Sequence, residues 1–168
     1  MKFVILVLAA AAPLALAAES SPDTSFYRAL AEGGMTEVDL AKLAEQKTEN
    51  PKIKDFAAMM VQDHSAANEK LESLASSKRV AVPRTLGASQ MGTKSTLESL
   101  HGARFDKSYI KSQVKAHEDT VALLEKEIAS GQDPDAKAFA QSVLPTVQHH
   151  LEAARSLAAE EGVSAAGM

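Results

Sequence analysis

The sequence contains no cysteine and no tryptophan, and aromatic residues make up only 4% of its 168 positions. The lack of cysteine excludes disulfides, thiolate metal ligands and lipid attachment to an N-terminal cysteine. The shortage of aromatic residues favours an aliphatic, helical core built from Ala and Leu. The net charge is only −4, and the basic residues are scattered, so nothing resembles a nucleic-acid-binding patch. The length predicts one domain.

Residues 1–17 have the pattern of a secretory signal peptide. Lys2 is followed by an apolar run and by the small residues Ala15 and Ala17, which is the order that a cleavable signal requires. The run is short for a membrane span, although an uncleaved anchor is the alternative. We therefore expect cleavage after Ala17, a mature domain of residues 18–168 in the periplasm or outside the cell, and no membrane span after cleavage.

Four long helices follow from the apolar periodicity and from the helix-start and helix-stop residues. We predict them over residues 23–48, 51–77, 103–131 and 134–159. Asn50-Pro51 and Asp133-Pro134 each combine a capping side chain with a proline in the first turn. The segment between the second and third helices is punctuated by Pro and Gly. It is long enough to cross the bundle and to contain a short helix within residues 90–100.

On its apolar face, each long helix carries one side chain of a kind that binds metal ions. These residues are Glu37, His64, His117 and His150. Residue counts from the two short turns place Glu37 level with His64, and His117 level with His150. Side chains lean towards the N-terminus of their helix, which brings each antiparallel pair still closer. We expect all four to meet at one point, with donor atoms roughly 3–5 Å apart, because ligand bonds of about 2.0–2.2 Å span such a site.

Two explanations of this constellation remain open. One is a transition-metal site, since an ion would offset the cost of a buried carboxylate. The donor set suits Zn, Fe, Mn or Cu, and Met60, one turn before His64, would favour copper if it were more than a packing residue. The other is a buried Glu–His network that only specifies packing. In both cases the neighbouring side chains, namely Asp63, Glu118 and His149, orient the imidazoles or form a solvated rim.

Several segments resemble a bacterial family of exported ferritin-like proteins, known as a domain of unknown function or as outer-membrane proteins. The resemblance covers about residues 26–157 and rests on the following segments: GGMTEV (33–38), FAAMMVQDH (56–64), GARFDKSY (102–109), HE (117–118) and LPTVQHHL (144–151). It implies an all-α, ferritin-like four-helix bundle with a long crossover, and no established activity.

The chain departs from the di-iron members of that fold class, which carry Glu-x-x-His on two helices. Here Val61, Val114 and Val147 stand three residues before the three histidines. This argues against ferroxidase activity, iron storage and oxygen activation, and favours a mononuclear site or none.

Three functions therefore compete. The first is an exported metal-binding protein, for metal buffering or envelope stress. The second is a structural or interaction module of the cell envelope. The third, a metal-dependent enzyme, ranks lowest because the sequence shows neither a nucleophile–base pair nor a phosphate loop.

Overall fold

The computed structural model describes residues 21–163, and the regular secondary structure of this part of the chain is all helical, with no strand. The helices are α1 (Pro22–Lys47), α2 (Pro51–Ser77), α3 (Ala88–Ser99), α4 (Gly102–Ser130) and α5 (Pro134–Glu160). The all-helical prediction is confirmed, as is a short helix between the second and third long helices. The predicted signal peptide lies outside the described residues. Within residues 21–163, no helix is apolar over a length that could cross a membrane.

Three of the long helices begin with a polar capping side chain followed by proline. The side chains of Ser21, Asn50 and Asp133 accept hydrogen bonds from backbone N–H groups two or three residues ahead. These bonds satisfy amides that a helix start leaves free. The first helix starts at Pro22, one residue before the start at residue 23 that the sequence predicts. Asp23 is buried and contacts the turn between α4 and α5.

Contacts at the bundle ends fix the direction of α2 relative to α5. Lys52, at the start of α2, pairs with Glu160 at the end of α5, with Nζ and Oε2 2.6 Å apart. Lys78, just after α2, pairs with Asp133, which caps the start of α5, at 2.8 Å. The two helices are therefore antiparallel.

The same reasoning applies to α1 and α4. The Tyr27 hydroxyl, near the start of α1, donates to Asp133 just beyond the end of α4, at 3.0 Å. Lys47 ends α1 and lies over the ring of Phe105 near the start of α4, 5.5 Å from its centroid. These contacts make α1 antiparallel to α4. A connection of three residues joins α1 to α2, so these two helices are antiparallel as well. It follows that α2 and α4 run in the same direction. The crossover with α3 makes this possible.

The apolar core is divided into two clusters along the bundle. One cluster contains Leu40, Ile53, Met60, Val114 and their neighbours. The other contains Phe26, Leu71, Leu124, Val147 and their neighbours. On every long helix the candidate ligand falls in the interval between the two clusters. The ligand-type residues thus form a polar layer across the middle of an otherwise apolar interior.

Gly34 marks a close approach of α1 to α2. A Cβ atom built on Gly34 would lie 2.0 Å from Oδ1 of Asn68, whereas one built on Gly33 would meet nothing within 4 Å. Of the two explanations for this glycine pair, a helix bulge or a close approach, the structure supports the second.

Candidate metal centre

The three histidines of the polar layer meet in a nearly equilateral triangle. Their ring centroids are 5.6 Å apart for His64–His117, 5.4 Å for His64–His150 and 5.5 Å for His117–His150. One ring nitrogen from each lies within 4.8 Å of the other two. This separation falls inside the range expected of donor atoms around a single ion.

The hydrogen bonds of two rings define which nitrogens are free. Nδ1 of His117 is 2.9 Å from the Gln113 carbonyl oxygen, so this nitrogen carries the proton and donates it. Nε2 of His150 is 2.9 Å from Oδ2 of Asp63, and in a neutral ring it is likewise the donor. The lone pairs therefore lie on Nε2 of His117 and Nδ1 of His150.

These two nitrogens, together with Nε2 of His64, are buried and have no hydrogen-bond partner in the described part of the chain. Buried polar atoms are nearly always paired. These unpaired nitrogens belong to three rings that meet in one small volume, which is an arrangement that a cation would satisfy. The hydrogen bonds from the remaining nitrogens to Gln113 and Asp63 hold the rings of His117 and His150 in place, as such bonds do for metal-binding histidines.

Burial favours the neutral, metal-binding form of the His64 and His150 imidazoles. It lowers the pKa of His64 to about 3, with further lowering from His117 and His150. Burial also lowers the pKa of His150, although the hydrogen bond to Asp63 works in the opposite direction. A cation at neutral pH would therefore not have to displace protons from these two rings.

Glu37 belongs to the same layer but not to the triangle. It is 6% exposed, and its Oε2 has no partner among residues 21–163. Burial raises the pKa of its carboxyl group, while His117 and the Gln113 amide lower it. Its oxygens are outside the group of donor atoms that lie within 4.8 Å of one another. The structure thus brings together three of the four predicted ligands and places the fourth beside them.

The three predicted supporting residues have different positions. Asp63 contacts His150, as described above. Glu118 instead accepts from Arg155 at 2.7 Å, and the side chain of His149 is exposed on α5. Among these three residues, only Asp63 forms a hydrogen bond with a ring of the triangle, while the ring centroid of His149 lies 6.4 Å from that of His150.

Sequence reasoning missed the contribution of Gln113. Its carbonyl orients His117, and its fully buried amide side chain has neither atom paired within the described residues. The available signal was a polar residue one turn before His117 on the same helix face. Tyr109, one further turn away, is also fully buried with an unpaired hydroxyl.

A cavity of about 290 Å³ adjoins the triangle and contacts all four long helices. His64 and His150 line it, together with the carboxyl side chains Glu37 and Asp63. Aliphatic residues and Phe139 form most of the remaining wall. The histidine site is therefore connected to the surface on one side.

The fold and the site together define an all-helical bundle protein with a buried cluster of three histidines. The chain belongs to the family described as "Domain of unknown function (DUF4142)", which matches residues 8–157. None of the curated proteins matches the chain.

Solved structures of the same fold include two DUF305 proteins. One, from Streptomyces coelicolor and named as a candidate secreted protein, has a TM-score of 0.73 and 15% identity, over 88% of this chain and 96% of that one. The other, from Deinococcus radiodurans, has a TM-score of 0.74 and 9% identity, over 83% and 97%. The third structure is CopM in its Cu(II)-bound form, with a TM-score of 0.69 and 16% identity, over 82% of this chain and 96% of that one. At these identities the similarity shows the fold alone.

Proposed function

We propose that this chain is an exported metal-binding protein that holds one transition-metal ion between its helices. His64, His117 and His150 are the proposed ligands, with Glu37 as a fourth donor. The observation that carries the proposal is the meeting of three histidine rings. Each ring has a buried nitrogen that is unpaired within residues 21–163, and one nitrogen of each ring lies within 4.8 Å of one from each of the other two.

A packing-only role explains this set less well. Leaving a buried polar atom unpaired costs about 1–3 kcal/mol, and here three such atoms lie together. A network selected only for packing would be expected to pair them with each other or with neighbouring side chains. A bound ion pairs all three at once.

Copper is the ion that we propose first. Neutral imidazoles suit Zn, Fe, Mn and Cu alike, so the donor set does not choose among them. CopM, which shares the fold, has been solved in Cu(II)-bound, Cu(I)-bound and Ag-bound forms. Met60 is fully buried in one apolar cluster, so its placement gives no separate support for a thioether ligand.

The fold assignment and the cellular role complete the proposal. The long crossover, with α3 between two parallel long helices, supports placing the bundle in the ferritin-like class. A signal peptide at residues 1–17, with a mature domain of residues 18–168, would put the ion site in the periplasm or outside the cell. Metal buffering or an envelope stress response is the role that fits such a site.

Glu37 as a ligand is the least constrained part of the site. Its Oε2 is buried without a partner in the described chain, and its carboxyl group lines the same cavity as two of the histidines. A carboxylate would offset one charge of the ion, which three neutral imidazoles cannot do.

The proposal is tested by metal analysis and thermal denaturation of mature protein purified without an affinity tag. We expect one ion per chain, and a rise in melting temperature on adding Cu(II), because an ion that binds only the folded state stabilises it. His117→Ala should abolish this rise. His149→Ala removes an exposed histidine and should keep it. If no divalent ion changes the wild-type melting temperature, the histidine layer is structural.

A further inference from the structure

The cavity beside the histidine triangle has a mixed lining. It includes the carboxyl and imidazole groups of the site, apolar residues such as Leu123, Phe139 and Val143, and polar residues that include Lys70. A volume of about 290 Å³ is several times the roughly 30 Å³ that one water molecule occupies in the liquid. The space is thus large enough for a molecule of several atoms.

The cavity is on the open side of the proposed ion site. His64 and His150 line it, whereas His117 does not. On the opposite side, the core residues Met60, Val114 and Ala154 have no exposed surface and belong to one packed apolar cluster. An ion held by the three ring nitrogens would therefore have its free coordination positions directed towards the cavity.

Charge defines the kind of ligand that fits there. Three neutral imidazoles leave the charge of a divalent ion uncompensated, and Glu37, the one carboxylate proposed as a ligand, can offset only one unit of it. Asp63 also lines the cavity, but its carboxylate accepts from Nε2 of His150, and Lys70 in the same lining carries the opposite charge. An uncompensated charge in an apolar interior is costly. We propose that the cavity admits a small monovalent anion, which binds the ion as an exogenous ligand. This inference rests on the proposed function, since it requires the ion.

Gly33 provides a way to fill the cavity without touching a ligand. It lines the cavity one turn before Glu37 on the same face of α1, and a Cβ atom there would meet nothing within 4 Å. A leucine side chain at this position would occupy part of the cavity. Gly92 is the matched control, because it is also a helical glycine whose Cβ would meet nothing within 4 Å, but it is exposed on α3.

The experiment is an azide titration of Cu(II)-loaded protein, followed by the azide-to-copper charge-transfer absorption. We expect saturable binding in wild type and in Gly92→Leu, and at least tenfold weaker azide binding in Gly33→Leu, which should still hold one Cu(II). Gly33→Ala, which adds only a methyl group, should give an intermediate affinity and serves if the leucine variant does not fold.

Two results would overturn the inference while leaving the ion site intact. One is Cu(II)-loaded wild type that shows no azide band. The other is filled-cavity variants that bind azide as wild type does. If wild type binds no Cu(II) or other divalent ion, the proposed function fails and this inference fails with it.

Discussion

Glu127 allows a quantitative prediction that is independent of the ion site. It lies near the end of α4, is 5% exposed, and its Oε1 has no partner within residues 21–163. The nearby carboxylate of Asp23 accepts the backbone N–H groups of Gln132 and Asp133 at 2.8 and 3.2 Å. Burial first, and then the proximity of the Asp23 carboxylate, raises the pKa of Glu127 to about 7.

The magnitude follows from this pKa. The ordinary value is 4.5, and each pH unit between the two values corresponds to about 1.36 kcal/mol. Ionised Glu127 therefore destabilises the fold by roughly 3 kcal/mol relative to its neutral form. Because the folded-state pKa is the higher one, this stability is fully present below about pH 4.5 and is lost as the pH rises to about 7.

Glu127→Gln replaces the carboxyl group with an uncharged side chain of the same shape. We expect the variant to exceed wild type by no more than about 1 kcal/mol near pH 5, and by up to roughly 3 kcal/mol at pH 8. At about 2–4 °C per kcal/mol for a chain of this size, the difference in melting temperature would be about 6–12 °C. The contributions of the histidines to pH dependence cancel in this difference, because they are common to both proteins.

The measurement is thermal denaturation of wild type and variant from pH 5 to pH 8. Glu125→Gln, an exposed position on the same helix, is the control and should change little at either pH. Asp133 also repels ionised Glu127, whereas Lys137 attracts it. A variant-minus-wild-type difference that is the same at pH 5 and pH 8 would refute the reasoning.

Three further predictions follow from other parts of the chain. Asp63→Ala removes the hydrogen bond that orients His150 and should weaken ion affinity by about 10–100-fold in a metal titration, whereas Glu118→Gln should leave affinity unchanged. Gly33→Ala should raise the free energy of unfolding by up to about 1 kcal/mol in a denaturant titration. Gly34→Ala should give no such increase, because the added Cβ would meet the side-chain amide of Asn68. It should give the increase in an Asn68→Ala background, where that amide is absent. Mass spectrometry of protein from its native host should find a mature N-terminus at or near Ala18, and full-length protein in the cytoplasm would contradict the predicted export.

The sequence predicted the helices well, because their starts have strong local signals. Asn50-Pro51 and Asp133-Pro134 gave the first residues of α2 and α5 correctly. The start of α1 was less certain because Ser21, Asp23 and Thr24 are all capping residues, and only tertiary contact shows that Asp23 faces the α4–α5 turn.

The candidate site was predictable in part, since its histidines occupy core positions on three helices. Their meeting depends on the height of one helix pair relative to the other, which the crossover fixes and the sequence does not. Which ring nitrogen is left free to bind an ion depends on hydrogen bonds to the Gln113 carbonyl and to Asp63, and these bonds depend on local geometry. The sequence likewise could not show that Glu118 pairs with Arg155 instead of an imidazole, because adjacent residues point in different directions on a helix.

The most direct test of the central claim is anomalous diffraction from a crystal of the mature protein loaded with Cu(II). We expect a single strong peak inside the bundle, about 2.0–2.2 Å from Nε2 of His64, Nε2 of His117 and Nδ1 of His150. A peak only at surface positions such as His149 or Met91, or no peak at all, would contradict the proposal that these three histidines bind an ion.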